Sequence, residues 1–246
     1  MSISISIASF KRNKLLKWNL QSLKRQGVPA EILVLDESHS GDQSCEALCK
    51  QFGARYVHSG KTKSGPNHWR IPGFAFNIGA KIAKGKTLVL SCAEIYHPFD
   101  DLKLVSQLSS DEAVVIPASI RDDKGSIINA LENGDTPDIH AVMALRALDA
   151  TLPFLMAVSR KRYIDIGGYD EDFTGVCWDD NDITERLILS GGKYVSHATP
   201  VVHLFHPRHN YRNAEVMNRW NHNKKLYDER RGVITRNQNR EWGTLR

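Results

Sequence analysis

Glu31-Ile32-Leu33-Val34-Leu35-Asp36 is an apolar run without alternation, closed by a carboxylate. A strand with one wet face alternates; a run apolar on both faces marks a strand covered on both sides, as in a parallel sheet. An acid at the carboxyl end of such a strand faces the crevice where open α/β sheets bind ligands. The flanking sequence repeats this layout. Residues 3–9 alternate Ile and Ser and read as a first strand, ending in Ala8-Ser9-Phe10-Lys11-Arg12. A helix is predicted over 13–26, with Leu15, Leu16, Trp18, Leu20 and Leu23 as its apolar stripe. After the polar loop at 37–42, a helix carries Cys45 and Cys49, and a short strand covers 54–57. The polar, Gly- and Pro-containing stretch 59–72 is predicted to be a mobile loop. A helix over 73–83 and a strand over 86–91 follow, the strand running into Cys92-Ala93-Glu94-Ile95-Tyr96-His97-Pro98. Successive β-α repeats of this kind predict a doubly wound, Rossmann-like α/β sheet flanked by helices.

Beyond Pro98 the strand pattern returns at 113–117 and at 152–159. Residues 121–150 read as an irregular insertion that shapes a pocket. A short helix is predicted at 160–166, and 194–205 as one last extended segment, closing in His203-Leu204-Phe205-His206-Pro207-Arg208. No Gly-x-Gly-x-x-Gly follows the first strand and no phosphate-binding lysine loop occurs, which argues against a dinucleotide or P-loop site. At 246 residues and 41% hydrophobic content, one large domain is expected. It divides into a catalytic unit over 1–207, with halves 1–98 and 99–207, and a basic extension over 208–246. That extension holds ten Lys and Arg against four Asp and Glu, a net of +6, so the formal charge of +5 resides there. Such a tail suits contact with phosphate or an acidic acceptor. No apolar run approaches the ~20 residues of a membrane span. The N-terminus lacks the layout of a signal peptide, and the four cysteines form no disulfide framework, so a cytoplasmic location is expected.

The densest chemistry lies in Gly167-Gly168-Tyr169-Asp170-Glu171-Asp172-Phe173-Thr174-Gly175-Val176-Cys177-Trp178-Asp179-Asp180-Asn181-Asp182, where six carboxylates fall within thirteen residues. A helical apolar pattern follows at once. First-turn acids suit a helix dipole and Asp is a good N-cap, so part of the cluster is explained by local structure. A carboxylate cluster at a helix mouth also suits proton transfer, polar substrate groups or a metal complex.

Four elements in this order resemble the inverting glycosyltransferases of GT-A fold, with a galactosyltransferase-type C-terminal motif. Asp36-Glu37-Ser38 is similar to the family's nucleotide-binding acid at the second strand. Phe76-Asn77-Ile78-Gly79-Ala80-Lys81 resembles its Arg-Asn-x-Gly helix. Leu90-Ser91-Cys92-Ala93-Glu94 sits where the family has Asp-x-Asp, and 167–182 resembles its Gly-Gly-Phe-Asp-Glu and Trp-Gly-Gly-Glu-Asp segments. The resemblance covers about residues 3–208. It implies a transferase that moves a sugar from a nucleotide-diphosphate sugar, UDP-sugar first, to an acceptor hydroxyl with inversion. It assigns Asp180 as general base and Asp179 as a positioning acid. Ala8, Ser9, Arg12, Asp36, Ser38, Asn77, Ala93, Gly168 and Asp170 would face the donor, and Trp178 and Glu171 the sugar or acceptor. A Mn²⁺ or Mg²⁺ ion would be held by Glu94, the one acid kept at the altered Asp-x-Asp, and by the late histidine His206. His203 is the competing choice for that histidine and His97 a third. The alternatives are the same chemistry on a nucleic-acid acceptor, such as a modified DNA base, contacted through the basic tail, or a degenerate domain that binds sugar nucleotide without turnover. A carboxylate-pair glycoside hydrolase fits less well, because nothing marks a second acid at a defined distance from Asp180.

Overall fold

The computed structural model describes residues 2–60, 71–148, 154–207 and 213–245. In chain order the elements are β1 (Ile3–Ser9), α1 (Asn13–Arg25), β2 (Ala30–Asp36), α2 (Gln43–Phe52), β3 (Arg55–His58), α3 (Gly73–Ile82) and β4 (Thr87–Cys92). Next come β5 (Ile95–Tyr96), α4 (Asp101–Leu108), β6 (Ala113–Val115), β7 (Ser119–Arg121), α5 (Ser126–Glu132), α6 (Ile139–Met143) and β8 (Arg146–Ala147). The chain continues with β9 (Leu155–Ser159), α7 (Arg160–Asp165), α8 (Asp179–Leu189), β10 (Lys193–Val195), β11 (Val201–His203) and α9 (Ala214–Arg230). Most of the predicted 59–72 loop lies outside the described residues.

Seven strands form a mixed sheet in the order β10-β6-β9-β4-β1-β2-β3, with β9 antiparallel to both its neighbours and the other pairs parallel. The fold is thus a Rossmann-like α/β sheet with helices on both faces. β1 is an interior strand between β4 and β2, and its Ile-Ser alternation has a reason other than solvent. Ile3, Ile5 and Ile7 pack into one core with Leu16, Leu20, Cys45 and Cys49 from α1 and α2. Ser4 and Ser6 face the other side and are equally buried. There Ser6 lets α3 come close, since a Cβ on Gly79 would collide with its side chain. The small residues of this face set the helix-to-sheet distance, a steric requirement that burial energy alone does not impose.

Two readings of the sequence are corrected. The segment read as irregular over 121–150 is regular in its described residues: it follows β7 with α5, α6 and β8, and β7 and β8 belong to a second sheet ordered β5-β11-β7-β8. Asp122 organises its start by accepting the backbone N–H groups of Ile127 and Ile128 at 3.1 and 3.0 Å. The predicted extended segment at 194–205 is two strands in different sheets, β10 beside β6 and β11 between β5 and β7. The switch between sheets carries His203 and His206 under the carboxyl end of β4, and Leu204 N–H donates to the Glu94 carbonyl at 2.9 Å.

The C-terminal residues fold back onto the acidic stretch. Arg236 N–H donates to the Ile166 carbonyl at 3.0 Å, and Asn237 Nδ2 to the carbonyls of Gly167 and Tyr169 at 2.8 and 2.7 Å. Buried Asp170 pairs with Arg230, with Arg236 at 3.1 Å and with Arg240 at 3.5 Å. Buried Asp182 pairs with Arg186 and Arg236, each at 2.7 Å. On α9, Arg219, Lys224 and Lys225 pair with acids one turn away. The α9 pairs are internal to the tail, whereas Arg230, Arg236 and Arg240 meet acids outside it, which neutralises part of its positive excess. Among the described residues, no helix is long and apolar enough to cross a membrane.

Gly167 has φ +81°, and a Cβ there would fall on the Arg236 carbonyl. Gly167→Ala combines a left-handed strain of about 1–3 kcal/mol with that collision. Thermal denaturation is expected to show a Tm fall of about 5 °C or more, at roughly 2–4 °C per kcal/mol for a chain this size.

Candidate active site

The strand register brings the predicted donor-side residues to one level. Ser9 is opposite Asp36, Ala8 is opposite Cys92, and Ala93 N–H continues the ladder to the Ala8 carbonyl at 3.0 Å. Ala8, Ser9, Asp36, Ser38 and Ala93 therefore lie along the carboxyl edge of the parallel strands. Asp36 is 2% exposed and spends its oxygens locally. It accepts from Ser38 N–H at 2.9 Å, Ser38 Oγ at 2.6 Å and Tyr56 Oη at 2.7 Å. Its hydrogen bonds thus shape the β2–α2 turn.

At the end of β4, Glu94 meets both late histidines. Its Oε1 lies 3.9 Å from His203 Nε2 and 3.7 Å from His206 Nε2. One ligand atom from each of the three falls within 4.8 Å of the others. These separations are too long for hydrogen bonds and suit groups that share a cation. His206 Nδ1 lies 2.8 Å from the Pro207 carbonyl. Nε2 is buried and, among the described residues, has no hydrogen-bond partner. An imidazole oriented by a backbone carbonyl with its other nitrogen unmatched is the usual state of a metal-binding histidine. Two imidazoles and a carboxylate form a donor set that can hold a divalent transition ion. His203 and His206 were weighed as rivals; the fold brings both to Glu94. His97 is elsewhere, fully buried with Nδ1 2.7 Å from Asp101. Arg12 Nη2 stands 3.2 Å from His206 Nδ1.

The carboxylate pair occupies the start of α8. Asp179 is buried and Asp180 half-buried. Burial raises the pKa of Asp179 well above the ordinary value, and the Asp180 charge adds to it. Asp180 is pushed up to about 6, mainly by burial, while a hydrogen bond from Tyr169 Oη to Oδ1 at 2.9 Å pulls it back. The two titrate as a pair. Cys92 ties this pair to the histidine cluster. Burial pushes its thiol up, and the charges of Glu94, Asp180, Glu37 and Asp179 add to that effect. One side chain thus senses the putting-together of both halves of the site.

Other predicted residues have different surroundings. Asn77, fully buried on α3, accepts from Tyr163 Oη at 2.7 Å and Tyr169 N–H at 2.9 Å. It donates to the Tyr169 carbonyl at 2.9 Å and to Glu171 at 3.2 Å, which fills its capacity. Glu171 also accepts Gly243 N–H at 2.9 Å, Asp170 is held by three arginines, and a Cβ on Gly168 would meet Asn77 and Trp242. These four residues join α3, the acidic stretch and the tail. Trp178, with φ +72°, packs between α9 aromatics, stacked on Tyr227 at 5.3 Å and edge-on to Trp220 at 5.4 Å. The sequence reading missed Tyr169 as the partner of Asp180, although its place between Gly168 and Asp170 was visible.

Asp179 also carries a stability consequence. A carboxyl whose folded pKa lies above its unfolded one binds more protons in the native state, so its stabilising contribution is lost as pH rises through the folded pKa. Asp179→Asn removes that loss and is expected to raise Tm above wild type at pH 7–8, with a smaller difference near pH 4. Thermal melts in chelator across this range check it. For the cluster, Mn²⁺ at about 100 times its Kd is expected to stabilise wild type by about 2.7 kcal/mol. Glu94→Ala and His206→Ala should each abolish that shift.

No protein-family model matches the sequence, and no curated protein matches it by sequence. Comparison of folds is informative. The chain is similar to a mannosyltransferase of Pyrobaculum calidifontis solved with GDP-mannose and Mn²⁺, at TM-score 0.54 and 16% identity over 85% of this chain and 58% of that one. It is similar to the catalytic domain of Drosophila β1,4-galactosyltransferase 7, solved with xylobiose, at TM-score 0.58 and 12% identity over 91% of this chain and 79% of that one. A third is residues 1–349 of S. aureus TarS, at TM-score 0.56 and 16% identity over 83% and 60%. The chain spans less than two thirds of the first and third of these proteins. At such identities the likeness concerns architecture: the mixed sheet and its flanking helices have the arrangement of the GT-A glycosyltransferases.

Proposed function

We propose that the protein is an inverting glycosyltransferase that moves a sugar from a nucleotide-diphosphate sugar to an acceptor hydroxyl. One observation carries this reading: Glu94 of the Glu94-His203-His206 cluster and the raised-pKa pair Asp179-Asp180 all lie within electrostatic reach of Cys92, at the carboxyl edge of a GT-A-like sheet. When bound, a divalent ion supplies Lewis-acid neutralisation of the departing diphosphate. Glu94, His203 and His206 would hold it. Manganese is the ion we favour over magnesium, because magnesium prefers an all-oxygen shell.

Asp180 takes the proton of the attacking acceptor hydroxyl. Tyr169 donates to its Oδ1 and so leaves Oδ2 to face the acceptor. A pKa near 6 makes Asp180 a stronger base than an ordinary carboxylate while keeping it ionised at neutral pH. Asp179, whose pKa is raised by burial and by the Asp180 charge, would position the sugar beside the base. Arg12, beside His206, is placed to meet the diphosphate. UDP-sugars are the first donors to test. The reading as a non-catalytic binding domain rested on the altered Asp-x-Asp, and the second histidine supplies a third ligand in its stead. The nucleic-acid reading rested on tail arginines, and Arg230, Arg231, Arg236 and Arg240 pair with internal acids.

The test is a panel of UDP-, GDP- and TDP-sugars with Mn²⁺, scored for donor hydrolysis and binding. Asp180→Asn is expected to bind donor as wild type does and to lose transfer by a factor of about 100 or more, the range of general-base catalysis. In wild type, kcat/KM should rise with pH through an apparent pKa of about 6, because the base acts ionised. Full transfer by Asp180→Asn would overturn the assignment of the base, and a flat profile between pH 5 and 8 would do the same.

A further inference from the structure

The helix α1 carries no acidic residue, and with the two residues before it contributes Lys11, Arg12, Lys14, Lys17, Lys24 and Arg25. Lys24 and Arg25 suit the negative end of the helix dipole. The others do not: Lys11, Arg12 and Lys14 crowd the positive end, where the first turn has no acid and no side-chain cap. That arrangement is unfavourable by itself and favours an anion. Lys14, Trp18, Gln21 and Arg25 follow one another at helical spacing, with Lys17 alongside, so they share one stripe.

This stripe lines two cavities in turn along the helix. The first, of about 540 Å³, is bounded by Lys14, Glu132 and His206, and so opens beside the proposed reaction centre. The second, of about 530 Å³, is bounded by Lys17, Trp18, Gln21 and Arg25 on α1 and by Asp135 and Thr136 beyond α5. The exposed pair Lys14–Glu132, at 3.4 Å, belongs to the wall of the first. In the second cavity Lys17 Nζ sits 4.6 Å from the centre of the half-buried Trp18 ring. Among the described residues Arg25 donates through Nη2, to the carbonyls of His97 and Pro98 at 2.8 and 3.0 Å. An indole face, two cations, and an amide, a hydroxyl and a carboxylate on facing walls match a sugar that carries hydroxyls and an anionic substituent. A nucleic-acid strand fits less well, because Glu132 and Asp135 would face its closely spaced phosphates.

The geometry points to an extended acceptor groove along α1 that binds an anionic carbohydrate chain, with Lys17 and Arg25 on its acidic groups and Trp18 under a ring. This rests on the transferase reading for the word acceptor, and on the groove alone for binding. The groove runs about 16 Å from Lys14 to Arg25 along the helix axis, so the chain engages it well beyond the reacting sugar.

Titration of the full chain with a chondroitin sulfate hexasaccharide, followed by calorimetry and by Trp fluorescence, tests it. Cellohexaose and a thymidine hexanucleotide serve as comparators, and UDP binding with Mn²⁺ is measured on the same samples. The expected result is binding of the sulfated chain that weakens with added salt, with cellohexaose at least tenfold weaker. Lys17→Glu, an exposed change, should cost a further tenfold or more and leave UDP binding as in wild type. Trp18→Leu should lose the fluorescence response while a thermal melt shows a folded protein. Equal affinity in Lys17→Glu and wild type, or tighter binding of the hexanucleotide than of the hexasaccharide, would sink the proposal. Hexasaccharide binding without any nucleotide-sugar binding would instead retire the transferase reading and leave the groove standing.

Discussion

Buried carboxylates at Asp170 and Asp182 can exist only because arginines meet them. Arg186 comes from their own neighbourhood, one helical turn beyond Asp182, and Arg230, Arg236 and Arg240 come from the far end of the chain. An isolated buried charge costs several kcal/mol, and removing one partner of such a pair leaves that cost exposed. The acidic stretch and the C-terminal residues are thus conditions of each other's burial. Everything near the reaction centre follows from this. Asp182 anchors the first turn of α8, and Asp179 and Asp180 are carried on that turn. Arg236 reaches the Asp182 carboxylate and passes its backbone N–H to Ile166. The orientation of the proposed base is therefore fixed from behind by a lattice of charges that takes no part in the chemistry.

A second constraint acts from the sheet. Asn77 uses its full hydrogen-bonding capacity to tie α3 to Tyr163, Tyr169 and Glu171. Tyr169 then donates to Asp180. A polar side chain that is buried and satisfied specifies one arrangement, because any other leaves an amide or carbonyl unpaired. So the family-like Asn and the Gly-Gly-Tyr-Asp-Glu run act together as a support. The cluster at Glu94 is held independently, by the ladder hydrogen bond from Leu204 and by the second sheet. Two halves of a site on separate supports can be adjusted separately, and the thiol of Cys92 marks where they meet.

Much of the fold was legible in the chain. The run at 31–36 and its repeats gave the parallel half, since a strand apolar on both faces has few other homes. The 121–150 segment was not legible, because short helices and two-residue strands carry too little periodicity to register. The carboxylates of 167–182 were recognisable as a group with separate roles, but the partners that hold them were not. Asp170, Glu171 and Asp182 differ from Asp179 and Asp180 in their partners, and those partners lie some fifty to seventy residues away. The pairing of the tail was hidden for the same reason: the acids that meet Arg230, Arg231, Arg236 and Arg240 lie far from them in the chain.

The amino-acid order alone determined the β-α alternation, the strand ends that carry Asp36 and Glu94, and the helix mouth that carries Asp179 and Asp180. Those features depend on periodicity and turn chemistry within a few residues, which a sequence displays directly. Tertiary structure alone decided that His203 and His206 both face Glu94, that Tyr169 orients Asp180, and that the tail neutralises the other acids. Each of these joins groups distant in the chain, and their charge, burial and tautomer depend on neighbours that only the folded molecule supplies.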